Sequence, residues 1–307
     1  MAARLNALVV AIALLASCSA KPPREIAWRT FDGQRAFADV ERLVSYGPRP
    51  TGSPALAQAA THITTQLRES GLDAEEQVFV APTPRGLLQF RNIVGKTRGG
   101  HGGDGSVIII GTHYDTKWFT NMTFVGANDG GSSAGVALEM ARVASGTPNL
   151  WFVFFDGEEC VNRYGPEDGL QGSKFFVDSL KDAGQVNQIK AMILLDMVGD
   201  ANLTVTIPAN STGTLTERLF QAARDAGDRD YFGLAETETL DDHVPFLNAG
   251  ISAIDIIDFE FGSAPGRNDY WHTDRDTLDK ISPRSLTIVG QTALRLVSLL
   301  QNQPAAR

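Results

Sequence analysis

Hydrophobic residues in this chain recur with two spacings, which predict alternating helices and strands. Spacings of three and four indicate helices at 37–44, 53–69, 133–143, 172–180, 215–226 and 285–300. Short apolar runs bounded by turn residues predict buried strands at 107–110, 150–155, 191–195 and 253–257, after two earlier strands at 76–80 and 89–95. The alternation predicts an α/β fold, a three-layer α/β/α sandwich with a central mixed, mostly parallel sheet.

The first residues carry a different pattern, which is typical of an export signal. Arg4 precedes an apolar run that ends in Leu-Ala-Ser-Cys at 15–18. One positive charge and a short apolar core predict a signal peptide over residues 1–17, too short for a membrane anchor. The ending resembles a bacterial lipobox and predicts Cys18 as the lipidated first mature residue; cleavage at a neighbouring small residue is the alternative.

This leader sets the expected organisation and location of the protein. We expect residues 18–34 to form a tether and residues 35–303 a single catalytic domain. The protein is expected to be exported and lipid-anchored, at the outer membrane facing the periplasm or at the cell surface. No later stretch is apolar for long enough to span a bilayer, so we expect membrane contact only through the lipid.

Composition narrows the class of function. The 307 residues are 43% hydrophobic, which is enough for a packed core. The net charge of −9 argues against a nucleic-acid partner, because phosphate affinity depends on clustered lysine and arginine. A lipidated Cys18 would leave Cys160 without a disulfide partner. We expect a monomer.

Imidazoles and carboxylates follow the predicted strands at their carboxyl ends, where open α/β sheets bind ligands. They are, in chain order, His113, Asp115, Asp129, Glu158, Glu159, Asp196 and His272. Each residue alone has a structural explanation, such as a surface turn, a helix cap or a core histidine. Together, so many acids would repel one another without a cation. Because Zn²⁺ takes nitrogen and oxygen ligands, the set predicts a zinc site.

The residues alone leave the number of zinc ions open. Two ions bridged by Asp129 would use His113, Asp129, Glu159, Asp196 and His272. One ion would use Asp129, Glu159 and His272 and would keep a fourth position open for substrate. In either arrangement the neighbouring Glu158 stays free to act as a general acid and base.

The residues in these motifs resemble those of the zinc aminopeptidase superfamily, which is related to peptidase family M28. Within that superfamily they are most similar to the animal-type glutaminyl cyclases, a group that includes bacterial members. The most specific segments are Phe-Asp-Gly-Glu-Glu at 155–159, Pro-Glu-Asp-Gly-Leu-Gln-Gly-Ser at 166–173 and Asp-Asp-His-Val-Pro-Phe-Leu at 241–247. The resemblance covers roughly residues 36–300 and implies a zinc-exopeptidase-like fold.

The resemblance also implies a reaction and roles for individual residues. The reaction is cyclisation of the N-terminal glutamine of peptides and proteins to pyroglutamate, with release of ammonia. One zinc ion would be held by Asp129, Glu159 and His272, with Glu158 as the acid and base. Asp196 and Asp241 would form a hydrogen-bonded acid network beside Glu158, and Trp271 would form a wall of the substrate pocket.

Two departures from the mammalian pattern concern substrate preference. Tyr164 stands where mammalian members carry a pocket tryptophan, and Asp255 stands where they carry a histidine. We expect Tyr164 to contact substrate.

Two other functions are alternatives to a glutaminyl cyclase. One is a two-zinc aminopeptidase, which would hydrolyse N-terminal residues with Glu158 as base, and the other is a non-catalytic binding module on the same fold.

Overall fold

A six-stranded mixed sheet forms the centre of the computed structural model, which describes residues 26–98 and 105–302. From one edge to the other its strands are β1 (Asp73–Thr83), β2 (Gly86–Lys96), β4 (Leu150–Phe155), β3 (Val107–His113), β5 (Ile189–Asp196) and β8 (Ala253–Ile257). The pairs β1–β2 and β2–β4 are antiparallel, and the remaining neighbours are parallel. A separate parallel pair consists of β6 (Val205–Ile207) and β7 (Phe232–Leu234).

Helices cover both faces of the sheet. They are α1 (Gly33–Ser45), α2 (Pro54–Glu69), α3 (Ser133–Ala144), α4 (Gln171–Asp182), α5 (Gly213–Ala226), α6 (Val244–Asn248) and α7 (Pro283–Gln301). In β3, Ile108 and Ile110 pack in the core shared with α1, α2, α3, α5 and α7. Val107 and Ile109 point the other way, to the core shared with α4 and α6. The predicted α/β/α sandwich with a mixed, mostly parallel sheet is confirmed.

Local sequence signals explain where several helices begin. Asp32 accepts hydrogen bonds from the backbone N–H groups of Gln34 and Arg35 at the start of α1. Ser53 and Ser282 cap α2 and α7 in the same way, each followed by a proline in the first turn. Within residues 26–98 and 105–302, no helix combines the length and hydrophobicity needed to cross a membrane.

The fold begins before the predicted domain boundary. Ile26, Trp28 and Phe31 are buried and pack in the larger core, so the tether predicted to extend to residue 34 has ended by residue 26. These three side chains are too irregularly spaced to predict a helix, so the sequence did not indicate that they belong to the domain. They are nevertheless large and apolar, and burying them against the core stabilises the fold. The signal peptide and Cys18 lie outside the described residues, and the lipid anchor stays a prediction.

The first two strands are longer than predicted. They form one antiparallel hairpin, in which Asp73 pairs with Lys96 and Thr83 pairs with Gly86. Pro82, which follows the predicted end of the first strand at residue 80, lies within β1. A proline is tolerated there because β1 is the edge strand and one side of its backbone has no ladder partner.

Candidate active site

The parallel strands bring the predicted site residues to one edge of the sheet. The register pairs His113, at the end of β3, with Phe155, at the end of β4. It also pairs Gly111 with Leu194 of β5, which places Asp196 beside His113. Their side chains meet, because His113 Nε2 lies 3.1 Å from Asp196 Oδ1.

Asp129 reaches the same point from a glycine turn that precedes α3. Gly126 and Gly130 have φ of +51° and +73°, and a Cβ on Gly130 would lie 2.6 Å from the carbonyl oxygen of Asp115. Only glycine accepts this backbone without strain. The buried carboxylate of Asp276 fixes the turn, since it accepts hydrogen bonds from the backbone N–H groups of Asn128 at 2.7 Å and Asp129 at 3.0 Å.

A second buried aspartate holds the paired glutamates. The carboxylate of Asp115 accepts hydrogen bonds from the backbone N–H groups of Glu158 and Glu159, each at 3.3 Å. Its Oδ1 also lies 3.5 Å from Nδ1 of His113. Asp115 therefore joins the end of β3 to the loop after β4, in the same way that Asp276 joins a later loop to the glycine turn.

Arg49 lies beneath the glycine turn as a fully buried cation. Its guanidinium donates hydrogen bonds to the backbone carbonyls of Val125 at 2.8 Å, Gly126 at 3.1 Å and Tyr114 at 3.3 Å. Burial lowers the pKa of Arg49 to about 10, which leaves the group charged at neutral pH. Arg49 thus ties the segment before α2 to two of the loops that carry site residues.

Two groups of donor atoms share Asp129. His113, Asp129 and Asp196 form one group, and Asp129, Glu159 and His272 form the other, with the donor atoms of each within 4.8 Å of one another. Asp129 Oδ1 lies 3.3 Å from His113 Nε2, whereas Oδ2 lies 3.3 Å from His272 Nε2. His272 Nε2 also lies 3.0 Å from Glu159 Oε1.

The second of these groups fits a divalent cation. Asp129 Oδ2 is buried and, apart from its 3.3 Å ion-pair contact with His272 Nε2, accepts no hydrogen bond from the described residues. Burial lowers the pKa of His272, but the charges of Glu159 and Asp129 outweigh it and raise the pKa to about 9. A proton on this imidazole thus offsets the carboxylates, and a metal ion coordinated by the same three side chains would replace it.

A cavity of about 350 Å³ opens beside this group. Glu158 lines it, and the hydroxyl of Tyr164 donates a hydrogen bond of 2.8 Å to Glu158 Oε1. Burial, the charge of Glu159 and the charge of Asp241 raise the pKa of Glu158 well above its usual range. Glu158 is therefore a carboxyl group able to hold a proton next to the candidate metal ligands.

Comparison with known proteins identifies the family. A sequence model described as Peptidase family M28 matches residues 92–297. The chain belongs to peptidase family M28. Among solved structures, it is 35% identical to an Acidobacteriales bacterium glutaminyl cyclase, with a TM-score of 0.81, covering 94% of this chain and 99% of that one.

Two further relatives of this M28 chain carry different names. A curated glutaminyl-peptide cyclotransferase from Boiga irregularis is 28% identical, over 76% of this chain and 74% of the relative. A Zn-dependent exopeptidase from Parabacteroides distasonis is 27% identical, with a TM-score of 0.77, covering 89% of this chain and 99% of that one. The second name agrees with a zinc site in this family.

The remaining predicted residues lie in or beside the cavity of the M28 chain. Trp271 lines it and stacks on the ring of His272, with 3.9 Å between ring centroids and 22° between planes. Asp196 and Asp241 also line it. Among the described residues, no hydrogen bond joins either of them to Glu158, whose carboxylate is bonded to Tyr164 instead. The hydrogen-bonded acid network stays a prediction.

Sequence reasoning gave no role to Asp276, Lys117 or Arg49. The ammonium of Lys117 donates a 2.7 Å hydrogen bond to the carbonyl of Cys160 and lies 3.4 Å from Glu159 Oε2. Lys117 follows His113 by four residues, and that proximity was the signal that could have identified it. For Asp276 only its position four residues after His272 gave any indication.

Proposed function

We propose that this protein is a zinc-dependent glutaminyl-peptide cyclotransferase, which converts the N-terminal glutamine of peptides and proteins to pyroglutamate and releases ammonia. One observation carries the proposal: Glu158, a buried carboxyl group that belongs to neither donor group, faces the same cavity as Asp129, Glu159 and His272. The cyclase names of its M28 relatives support this reaction.

The proposed reaction needs a proton carrier at the position of Glu158. When bound by Asp129, Glu159 and His272, a zinc ion supplies a Lewis acid that polarises the γ-carbonyl of the substrate glutamine. The α-amine forms a bond to that carbon while Glu158 takes its proton. Glu158 then gives the proton to the amide nitrogen, whose bond to carbon breaks, and ammonia leaves. Because the nucleophile belongs to the substrate, no water has to be activated.

We propose one zinc ion per chain. The residues Asp129, Glu159 and His272 all line the cavity, whereas His113 of the other donor group does not. A metal ion held by the first group would therefore be open to substrate. Metal analysis of the purified protein tests this: one equivalent of zinc is expected, and two tightly bound equivalents would contradict it.

Mass spectrometry of a glutamine-initiated peptide tests the reaction itself. A product lighter by one ammonia is expected. A product lighter by the whole first residue would mean hydrolysis and would overturn the proposal.

Two variants test the assigned roles. Glu158→Gln removes the proton carrier and should abolish turnover while zinc stays bound; Glu167→Gln, an exposed acid on the following loop, is the matched control. His272→Ala should lose zinc. His62→Ala is its control and should retain zinc, because His62 lies on α2 and pairs with Asp39. Activity in Glu158→Gln, or unchanged zinc content in His272→Ala, would refute the corresponding role.

A two-zinc aminopeptidase is the second candidate, and one observation favours it. His113, Asp129 and Asp196 form a complete second donor group, and Asp129 presents a different oxygen to each histidine. Release of an N-terminal amino acid together with two equivalents of zinc would support this function in place of cyclisation.

A further inference from the structure

The cavity has a buried floor and an exposed mouth. Its floor consists of acids that are almost fully buried, among them Asp129 and Glu158. Its mouth includes Glu238, Leu240 and Phe259; Leu240 is 51% exposed and Phe259 is 39% exposed. When the first residue of a peptide is bound at the floor, the rest of the peptide therefore has to pass these side chains on its way to solvent.

Glu238 is held at the mouth by bonds on both sides of it. The carbonyl of Thr237 accepts a 2.9 Å hydrogen bond from the N–H of Ala209. The side chain of Asn210 bonds both backbone groups of Thr239, donating to its carbonyl at 2.8 Å and accepting from its N–H at 3.2 Å. The backbone on either side of Glu238 is thus fixed to the segment after β6, which keeps Glu238 at the mouth of the cavity that it lines.

The charge of Glu238 is not neutralised by a neighbouring side chain. None of the ion pairs among the described residues includes Glu238. No lysine or arginine of residues 26–98 and 105–302 lines the cavity. A metal ion at the floor would offset the acids there, but the mouth would keep its negative charge, which attracts cations at short range.

From this placement we infer that Glu238 is a specificity residue, which favours substrates with lysine or arginine directly after the N-terminal glutamine. The inference rests on the proposed function, because that reaction puts the first residue at the floor. The second side chain is then the first one to reach the mouth. An exposed charge pair changes affinity by about two- to fivefold, and this is the size of effect expected for each charge.

The test compares kcat/KM for ammonia release from three peptides that differ only at the second residue, which is lysine, alanine or glutamate. At low ionic strength the wild-type protein should prefer lysine to glutamate by about four- to 25-fold. Salt near 1 M should reduce the preference, since the Debye length falls to about 3 Å.

Variants assign the preference to one side chain. Glu238→Gln should lower the lysine-to-glutamate ratio by about four- to 25-fold, because it removes both the attraction of lysine and the repulsion of glutamate, and Glu238→Lys should reverse the preference. Glu236→Gln is the matched control, because Glu236 is also exposed, lies two residues earlier and does not line the cavity. It should keep the wild-type ratio.

The outcomes separate this inference from the proposed function. An unchanged ratio in Glu238→Gln would overturn the role of Glu238 while leaving the cyclase intact. An equal fall in Glu236→Gln would assign the preference to the net charge of the protein and would also overturn it. Failure of the wild-type, zinc-loaded protein to release ammonia from any of the peptides would overturn the proposed function, and the inference with it.

Discussion

Replacing Asp276 by asparagine should weaken zinc binding through a residue that does not touch the metal site. Its two carboxylate oxygens accept the N–H groups of Asn128 and Asp129. The amide of asparagine has one acceptor oxygen, so one N–H would face an NH₂ group. Losing a hydrogen bond to a charged acceptor costs about 1.5–3 kcal/mol.

Part of that loss in folding free energy would be offset. Burial, together with the charge of Asp129, raises the pKa of Asp276 to about 7, so the native carboxylate is itself unfavourable at this position. We expect a net loss of about 1–2 kcal/mol in the free energy of unfolding. Because Asp129 would be less firmly placed, zinc affinity should fall by about 10- to 100-fold, as for other groups that orient metal ligands.

The assay combines a zinc titration against a competing chelator with urea unfolding of the metal-free protein. Asp279→Asn is the control, since Asp279 is exposed three residues later and pairs only with Thr277 and Lys280 among the described residues. Wild-type zinc affinity in Asp276→Asn would refute the reasoning, even if stability fell.

Three further predictions follow from contacts in and around the site. Tyr164→Phe removes the hydrogen bond to Glu158 and should lower kcat about tenfold with little change in KM; an unchanged kcat would contradict it. Gly130→Ala should lower the free energy of unfolding by more than about 1 kcal/mol, because φ is +73° and the new methyl would meet the carbonyl of Asp115; an unchanged urea midpoint would exclude this strain. Burial raises the pKa of Asp258 to about 7, so the folded state binds more protons than the unfolded state between about pH 4 and pH 7, and Asp258 makes stability fall as pH rises through that window. Urea unfolding of Asp258→Asn should show a smaller fall over the same window, and parallel profiles would contradict the assignment.

The parallel strands could be predicted because burial on both faces makes them continuous apolar runs. The prediction for β4 coincides with the observed strand, and His113 and Asp196 follow from where such strands end. The strands β6 and β7 were missed, since each has three residues and leaves too short a pattern to detect.

The residues that orient the ligands were harder to predict for a different reason. Asp276 bonds to backbone groups 147 and 148 residues away, and a side-chain to main-chain bond of that span leaves no periodic signal in the sequence. The bond between Tyr164 and Glu158 joins two side chains only six residues apart, but a loop of irregular backbone separates them, so their contact could not be predicted from spacing.

The contacts of Arg49 limit how far the chain can be truncated from its N-terminal side. The family match begins at residue 92, within β2, yet the guanidinium that holds the carbonyls of Val125 and Gly126 comes from 43 residues earlier. A fragment starting at residue 92 would lose all of β1 and the first part of β2, and it would leave those carbonyls without their donor. The shortest active piece therefore has to include the segment upstream of the match, and a proteolytic nick near Arg49 should inactivate the enzyme without touching any metal ligand.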